Sequence, residues 1–305
     1  MLNRYKLLSA LVACLAGCPA LCAQALPSLL VSSDAAAMGT ALSTAGKSGG
    51  AYALESNVAS MAYMEGTMAA DVSFGLWQPS YAANKVLGLG AACKINKSLS
   101  LGLQAKYFGQ QAYDVVTENG TVKGSFTPKD LYVGVGAAYA LADFISVGIT
   151  AKVTSSSLSE DASATAIGFD AGVFLKRDGL SGGISLNNLG GKVSYGDRKY
   201  SQPSMVKVGA AYRLGEADGH SVTGSLEADY LFAGAFAAGL GAEYSLKEIL
   251  YVRCGYHYGN ETSPLPSFAT VGLGVKFAGV QLNAAYLLAS ETLGGSLTIG
   301  LGYSF

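Results

Sequence analysis

Short segments that alternate apolar with small or polar residues recur along most of this chain. At its end, in 296–305, one face of a strand would carry Leu297, Ile299, Leu301, Tyr303 and Phe305. The other face would carry Ser296, Thr298, Gly300, Gly302 and Ser304. One face suits lipid and the other a polar lumen, so the segment predicts the closing strand of a transmembrane β-barrel. Its end, Tyr303-x-Phe305, is typical of a signal to the barrel-assembly machinery.

From residue 66 onward, this pattern predicts an all-β, antiparallel transmembrane barrel of about 14 strands. The strand-length segments are 66–79, 84–95, 98–110, 129–140, 143–154, 164–176, 179–187, 203–214, 220–231, 236–246, 249–258, 267–278, 280–289 and 295–305. An even number of strands puts both ends of the barrel on the periplasmic side. Connections after the even strands are short, whereas those after the odd strands include 111–128, 155–163, 188–202 and 259–266. Short turns on one side and long loops on the other are typical of outer-membrane barrels.

Charged residues of the predicted strands fall on the face opposite the apolar one. They are Asp71, Lys106, Lys152, Asp170, Lys207, Arg213, Glu227, Asp229, Glu243, Arg253 and Lys276. An Arg or Lys facing lipid at mid-bilayer costs about 2–4 kcal/mol, so we expect these residues in the lumen. They could line a transport path or form an ion-paired interior. Their balanced signs favour the ion-paired interior, because a selective pore usually carries one sign.

The N-terminal 65 residues do not continue the strand pattern. A short basic region, an apolar run and the small residues Ala23-Gln24-Ala25 predict a secretory signal over 1–25. The alternative is a lipobox at 15–18 that would leave a lipidated Cys18, but the apolar stretch after Cys18 favours the signal. Residues 26–65 are rich in small residues and are predicted to plug the lumen of a barrel formed by 66–305, because fourteen strands enclose more space than side chains fill.

Composition favours the same class. Hydrophobic residues make up 50% of the chain and charged residues 13%, yet no mature segment reaches the ~20 apolar residues of a spanning helix. The net charge of −1 gives no reason to expect nucleic-acid binding. We therefore expect a multi-pass protein of the bacterial outer membrane, in contact with its lipid. Cys93 and Cys254 are predicted on outward faces several strands apart and should form no disulfide.

Enzymatic motifs are weak in this sequence. Residues 41–48 match a relaxed phosphate-loop pattern and 46–50 match G-x-S-x-G, but neither lies in the strand-turn-helix context that its chemistry needs. His220 and His257 are too few for a metal site, and His257, next to a predicted loop, is expected to add interfacial polarity. The sequence predicts no catalytic residue, cofactor or metal, and no enzyme.

Several motifs, taken in order, resemble the PorV/PorQ family. At the start of the mature chain the resemblance rests on Leu29-Leu30-Val31, on Asp34 to Ala41 with its AMG run, and on Asn57-Val58-Ala59. In the last of these, Val58 replaces the family's usual proline. Further motifs are Thr117-Glu118-Asn119-Gly120, Gly124-Ser125-Phe126, Asp130, Asn187-Asn188-Leu189-Gly190, Pro203, Lys207 to Tyr212, Arg253-Cys254-Gly255-Tyr256, Gly272 to Val275 and Ala284-Ala285-Tyr286. The resemblance covers nearly the whole mature chain.

This resemblance implies a FadL-type barrel with an N-terminal plug that acts in type IX protein secretion. Its partners would be secreted cargo or secretion-system proteins, bound by the extracellular loops. As aromatic anchors in those loops we select Tyr113, Phe126, Tyr195 and Tyr200.

The alternative is a FadL-like transporter of hydrophobic small molecules. Such a transporter should have an apolar pocket near the plug and a lateral opening or a strand kink. The methionines at 38, 61, 64 and 68 could belong to that pocket, although methionines often just fill gaps.

Overall fold

The computed structural model describes residues 24–215 and 217–305. Its barrel strands are β1 (Met68–Trp77), β2 (Asn84–Lys94), β3 (Leu99–Gly109), β6 (Lys129–Ala142), β7 (Ile145–Ser159), β8 (Ala162–Arg177), β9 (Leu180–Gly190), β12 (Met205–Leu214), β13 (His220–Leu231), β14 (Ala235–Leu246), β15 (Leu250–Gly259), β16 (Phe268–Phe277), β17 (Val280–Leu288) and β18 (Leu297–Ser304). Two loop hairpins add β4 (Tyr113–Val116) with β5 (Val122–Phe126), and β10 (Val193–Tyr195) with β11 (Arg198–Tyr200). The helices are α1 (Ala35–Gly39) and the short 3-10 turns Pro27–Leu30, Ala53–Glu55, Val58–Tyr63 and Ala217–Gly219.

Fourteen antiparallel strands close into one barrel, as the sequence predicts. Each barrel strand pairs with its neighbours along the chain, and β1 pairs with β18 to complete the ring. At this seam Val72 lies opposite Leu301 and Phe74 opposite Ile299. A closed barrel satisfies the backbone hydrogen bonds of every strand internally, which a lipid environment requires.

The two faces of the barrel wall differ in polarity. On the outside, large apolar side chains such as Val72, Leu89, Val133, Leu240 and Leu273 are exposed. In β18 the predicted alternation is confirmed, since Ile299, Leu301 and Tyr303 are exposed between the buried Thr298, Gly300 and Gly302. The outer surface is therefore apolar enough to face lipid.

Tight turns join strands at one rim, which we call the short-turn rim. Asp178 and Gly179 have φ values of 47° and 81°, and Ala278 and Gly279 have 49° and 82°. Positive φ at both central residues is the geometry that two-residue hairpins favour, because it matches the strand twist. The opposite, long-loop rim carries the two loop hairpins.

One predicted loop is wrong. The segment 155–163 is mostly strand, because β7 continues to Ser159 and β8 begins at Ala162. The two strands remain paired through this segment, with Ser155 opposite Thr165 and Ser157 opposite Ser163. Serine and threonine in this stretch mimic loop composition, but their backbones pair as in any antiparallel ladder.

The remaining sequence predictions concern the termini and the cysteines. Of the predicted signal sequence, residues 1–23 lie outside the described residues, and Cys18 lies among them. Cys93 and Cys254 are free and lie on β2 and β15, five strand steps apart around the ring. Among the described residues, no helix is long and apolar enough to cross a membrane.

Candidate functional site

The N-terminal segment, residues 24–65, contacts strands on opposite sides of the barrel. Helix α1 packs against β15, β16, β17 and β18, whereas the turn Val58–Tyr63 packs against β3, β6, β7 and β8. Thr270 donates a hydrogen bond to the carbonyl oxygen of Gly39 at 3.1 Å, and Ser146 donates to that of Ala59 at 2.7 Å. A segment that reaches both walls in this way lies within the lumen.

Glycines on the inner wall allow this close approach. A Cβ added at Gly209 would lie 2.7 Å from the nitrogen of Gly46, and one at Gly148 would lie 2.8 Å from the nitrogen of Ala59. The same holds where other parts of the segment meet Gly90, Gly183, Gly255 and Gly272. Glycine in a strand often marks a place where another backbone comes close. The inner wall is therefore shaped to receive this segment.

Glu227 on β13 is a main attachment point for the segment. Its Oε2 accepts hydrogen bonds from the backbone N–H groups of Thr44 and Ala45, at 2.8 and 2.5 Å. Its Oε1 accepts from Lys207 at 3.0 Å. Next to it, the hydroxyl oxygens of Ser43 and Ser225 lie 2.8 Å apart. A buried carboxylate thus binds two consecutive amides, and bonds to a charged group are stronger than neutral ones.

A second attachment lies on the opposite wall. Glu55, within the segment, accepts from the Ser32 hydroxyl at 2.7 Å and the Ser33 N–H at 2.9 Å, and lies 3.6 Å from Lys106. Lys106 also donates to the carbonyl oxygen of Val31 at 2.7 Å. These contacts hold residues 31–33 against Glu55 and attach both to β3, the strand that carries Lys106.

Two ionisable groups of the segment have perturbed pKa values. Asp34 caps α1 by accepting from the N–H of Ala36 at 2.8 Å. Burial raises the pKa of Asp34 above its usual 3.8, although the Ala36 bond opposes the rise. Burial likewise lowers the pKa of Lys47, while Glu243 opposes that change.

The wall itself is irregular between β8 and β9. Their register shifts between Phe169 and Ala171, where Asn188 adopts a positive φ of 59°. Asp170 accepts hydrogen bonds from Lys152 at 2.5 Å and from the N–H of Asn188 at 2.7 Å. Asn188 in turn donates to the carbonyl oxygen of Pro203 at 3.0 Å. This β-bulge re-aims the end of β9 toward the loop that carries β10 and β11.

The structure places the predicted lumen charges on buried or half-buried inward positions. All but Asp71 form ion pairs: Lys106 with Glu55, Lys152 with Asp170, Lys207 with Glu227 and Asp229, Arg213 with Glu248, Arg253 with Glu243, and Lys276 with Glu65. Asp71 is half-buried on β1. Three of these partners, Glu55, Glu65 and Glu248, lie outside the barrel strands and do not belong to the predicted set.

One cavity of about 460 Å³ extends along the N-terminal segment. Near the long-loop rim its lining includes the apolar Leu30, Met205, Leu231 and Leu265. Near the short-turn rim the lining is charged and includes Arg213, Glu243, Lys276 and Glu65. The lumen is therefore incompletely filled, and the same cavity touches both rims.

His257 lies in the lining of this cavity and not at an exposed interface, which corrects the sequence interpretation. It is only 3% exposed and its ring stacks on Phe268, with centroids 4.8 Å apart and planes 16° apart. The loop 260–267 follows β15 directly but packs over the barrel mouth, where Leu265 contacts the core. Sequence proximity to a loop therefore gave the wrong environment.

The four methionines that the sequence suggested for an apolar pocket lie elsewhere. Met38, Met61 and Met64 are almost fully buried against the wall, and Met68 faces outward. None of them contributes to the cavity lining. They fill gaps between segment and wall, as methionine commonly does.

The selected loop aromatics form two ring pairs. Tyr113 and Phe126 lie 5.9 Å apart on the β4–β5 hairpin, and Tyr113 is 41% exposed. Tyr195 and Tyr200 lie 6.1 Å apart on the β10–β11 hairpin and pack against a buried cluster that includes Leu26. The first pair is the more available to a partner.

The terminal aromatics lie on the outside of the seam. Tyr303 and Phe305 are exposed, and their rings lie 5.5 Å apart. The Phe305 carbonyl oxygen accepts from Thr67 and Met68, at 2.5 and 3.0 Å.

The phosphate-loop match of the sequence lies in an irregular part of the chain. Residues 41–48 form turns and bends, with no strand leading into them. Within residues 24–215 and 217–305, no group of three or more His, Cys, Asp and Glu could hold a metal ion.

Comparison with known proteins shows the fold. No family model matches the chain, and no curated protein matches its sequence. Among solved structures, the chain is similar to the Ralstonia pickettii toluene transporter TbuX, with a TM-score of 0.62 and 15% identity over 90% of this chain and 98% of that one. It is also similar to the P. putida toluene transporter TodX, with a TM-score of 0.64 and 14% identity over 88% and 98% of the two chains.

A Pseudomonas aeruginosa FadL homologue is similar as well, with a TM-score of 0.55 and 12% identity over 90% of this chain and 98% of that one. The chain thus has the fold of a FadL-like outer-membrane β-barrel. With its apolar outer surface, this fold places the protein in the bacterial outer membrane.

Proposed function

We propose that this barrel conducts small, largely apolar molecules across the outer membrane and that the N-terminal segment acts as its plug. The observation that carries the proposal is a cavity whose lining includes residues of both rims. Its apolar part, near the long-loop rim, is suited to bind an apolar solute, because ligand sites are mostly apolar with a few placed polar groups. The bulge between β8 and β9 supports the proposal, because a strand kink is expected in such a transporter.

The fold neighbours support the same proposal. TbuX and TodX are described as toluene transporters, and two related structures as monoaromatic hydrocarbon channels. At this level of identity the likeness concerns the fold, so the solute class rests on the cavity.

The test is uptake of labelled toluene by intact cells whose own outer membrane lacks such a channel. Ala237, on β14, is buried and lines the cavity, whereas Ala242 on the same strand faces outward. Ala237→Phe should lower the initial uptake rate and Ala242→Phe should not. Uptake no faster than in cells without the barrel would refute the proposed function.

A second candidate function, binding of a protein partner in type IX secretion, is supported by the β4–β5 hairpin. Tyr113, Val116 and Val122 of this hairpin are exposed beyond the barrel. Exposed apolar groups can mark a protein-binding surface, and tyrosine is enriched among the residues that contribute most to binding. Shortening 111–128 should then abolish recovery of a partner and surface display of cargo at unchanged barrel abundance. Unchanged display would exclude this candidate.

A further inference from the structure

Two unpaired polar atoms lie among the residues that line the apolar part of the cavity. Asp229 is 7% exposed, and its Oδ1 has no hydrogen-bond partner within the described chain. His257 is 3% exposed, and its Nε2 is likewise unpaired there. Burying a polar atom without a hydrogen-bond partner is unfavourable, because the atom loses its bonds to water. Two such atoms from one cavity therefore point to a missing hydrogen-bonding group.

Neighbouring residues fix both side chains. Lys207 holds Asp229 by its other oxygen, Oδ2, at 3.8 Å, and also binds Glu227. Phe268, which is fully buried, stacks on the His257 ring. Neither polar atom owes its lack of a partner to an exposed, freely rotating side chain.

Asp229 and His257 lie on the two strands that flank β14, and both line the same cavity. Asp229 on β13 lies opposite Ala237, and His257 on β15 lies opposite Gly239, with both of these small residues on the intervening β14. Two strand spacings and the two-residue offset along β14 separate the backbones by roughly 12 Å, and both side chains line the cavity between them. A single hydroxyl group can accept from a ring N–H and donate to a carboxylate.

We propose that Asp229 and His257 form a hydroxyl-binding subsite, so that the preferred solutes are small aromatic or aliphatic molecules with one hydroxyl group. The apolar body would contact Leu231 and Leu265, while the hydroxyl donates to Asp229 Oδ1 and accepts from His257 Nε2. This inference rests on the proposed function, because it names the solute that the same cavity binds.

The test compares p-cresol with p-xylene, which have nearly the same shape and differ by a hydroxyl in place of a methyl group. Calorimetry on the purified barrel in nanodiscs, corrected with empty nanodiscs, gives both Kd values. One hydroxyl that satisfies two buried groups should lower the Kd of p-cresol at least ~10-fold relative to p-xylene.

Variants separate binding from structure. His257→Phe keeps an aromatic ring on Phe268 and should remove the preference, so that the ratio of the two Kd values falls to about 1. His257→Gln keeps a hydrogen-bonding group and should retain the preference. His220→Phe, at the short-turn rim outside the cavity lining, is the matched control and should change neither Kd.

The outcomes are distinct. Equal Kd values for the two compounds in the wild type, or a preference that persists in His257→Phe, would overturn the hydroxyl subsite and leave the proposed channel intact. Binding of neither compound above the empty nanodiscs would overturn the proposed channel and this inference with it.

Discussion

Glu227→Gln should detach the N-terminal segment from the wall without unfolding the barrel. In the wild type, two backbone amides and Lys207 all donate to this carboxylate. A hydrogen bond to a charged group contributes about 1.5–3 kcal/mol and a neutral one about 0.5–1.5 kcal/mol. Loss of the charge therefore costs about 2–3 kcal/mol over the two amide bonds. This free energy raises the detached fraction about 30- to 150-fold.

Cleavage by the lysine-specific protease Lys-C measures that fraction. Lys47 is the single Lys or Arg between residues 24 and 65, and it is half-buried while the segment is docked. The cleavage rate follows the detached population when redocking is faster than cleavage. Glu248→Gln is the matched control, because Glu248 pairs with Arg213 at the exposed short-turn rim. If Glu227→Gln is cut at Lys47 no faster than the wild type, while its barrel stays heat-modifiable, the attachment account is wrong.

Two further predictions concern the seam and the plug. Deletion of Phe305 should reduce the heat-modifiable folded band on unheated gels, because the Phe305 backbone bonds Thr67 and Met68 across the seam; undiminished folding would contradict this. Asp34→Asn keeps the cap on α1 but removes a buried charge, so at pH 8 the variant should show slower hydrogen exchange in residues 35–40 than the wild type. Because the docked pKa of Asp34 is raised, the ionisation cost is present above that pKa and disappears as pH falls toward 3.8, where the two proteins should converge. An equal difference at pH 8 and at acid pH would refute the assignment.

The barrel could be predicted from the sequence because its signal is local. Alternation with a period of two fixes which side chains face lipid, so all fourteen barrel strands were located within a few residues. The error at 155–163 arose because polar, serine-rich strands look like loops once they extend beyond the apolar belt.

The interior could not be predicted in the same way, because its contacts join residues far apart in sequence. Gly148 and Gly209, for example, make room for the backbone of the N-terminal segment. The attachment of Thr44 and Ala45 to Glu227 spans more than 180 positions. His257 was misplaced for the same reason, since its stacking partner belongs to the next strand. The sequence does hold one indication of these interior contacts, namely glycines at inward-facing strand positions.

A reversible crosslink between plug and wall tests the central claim most directly. The hydroxyl oxygens of Ser43 and Ser225 lie 2.8 Å apart, so Ser43→Cys with Ser225→Cys, in a background with Cys93→Ala and Cys254→Ala, should form a disulfide. The proposed plug has to move before a solute can pass, so oxidised cells should take up labelled toluene no faster than cells without the barrel. Reduction should restore the uptake rate of the single-cysteine controls. Full uptake through the verified oxidised crosslink would contradict the account.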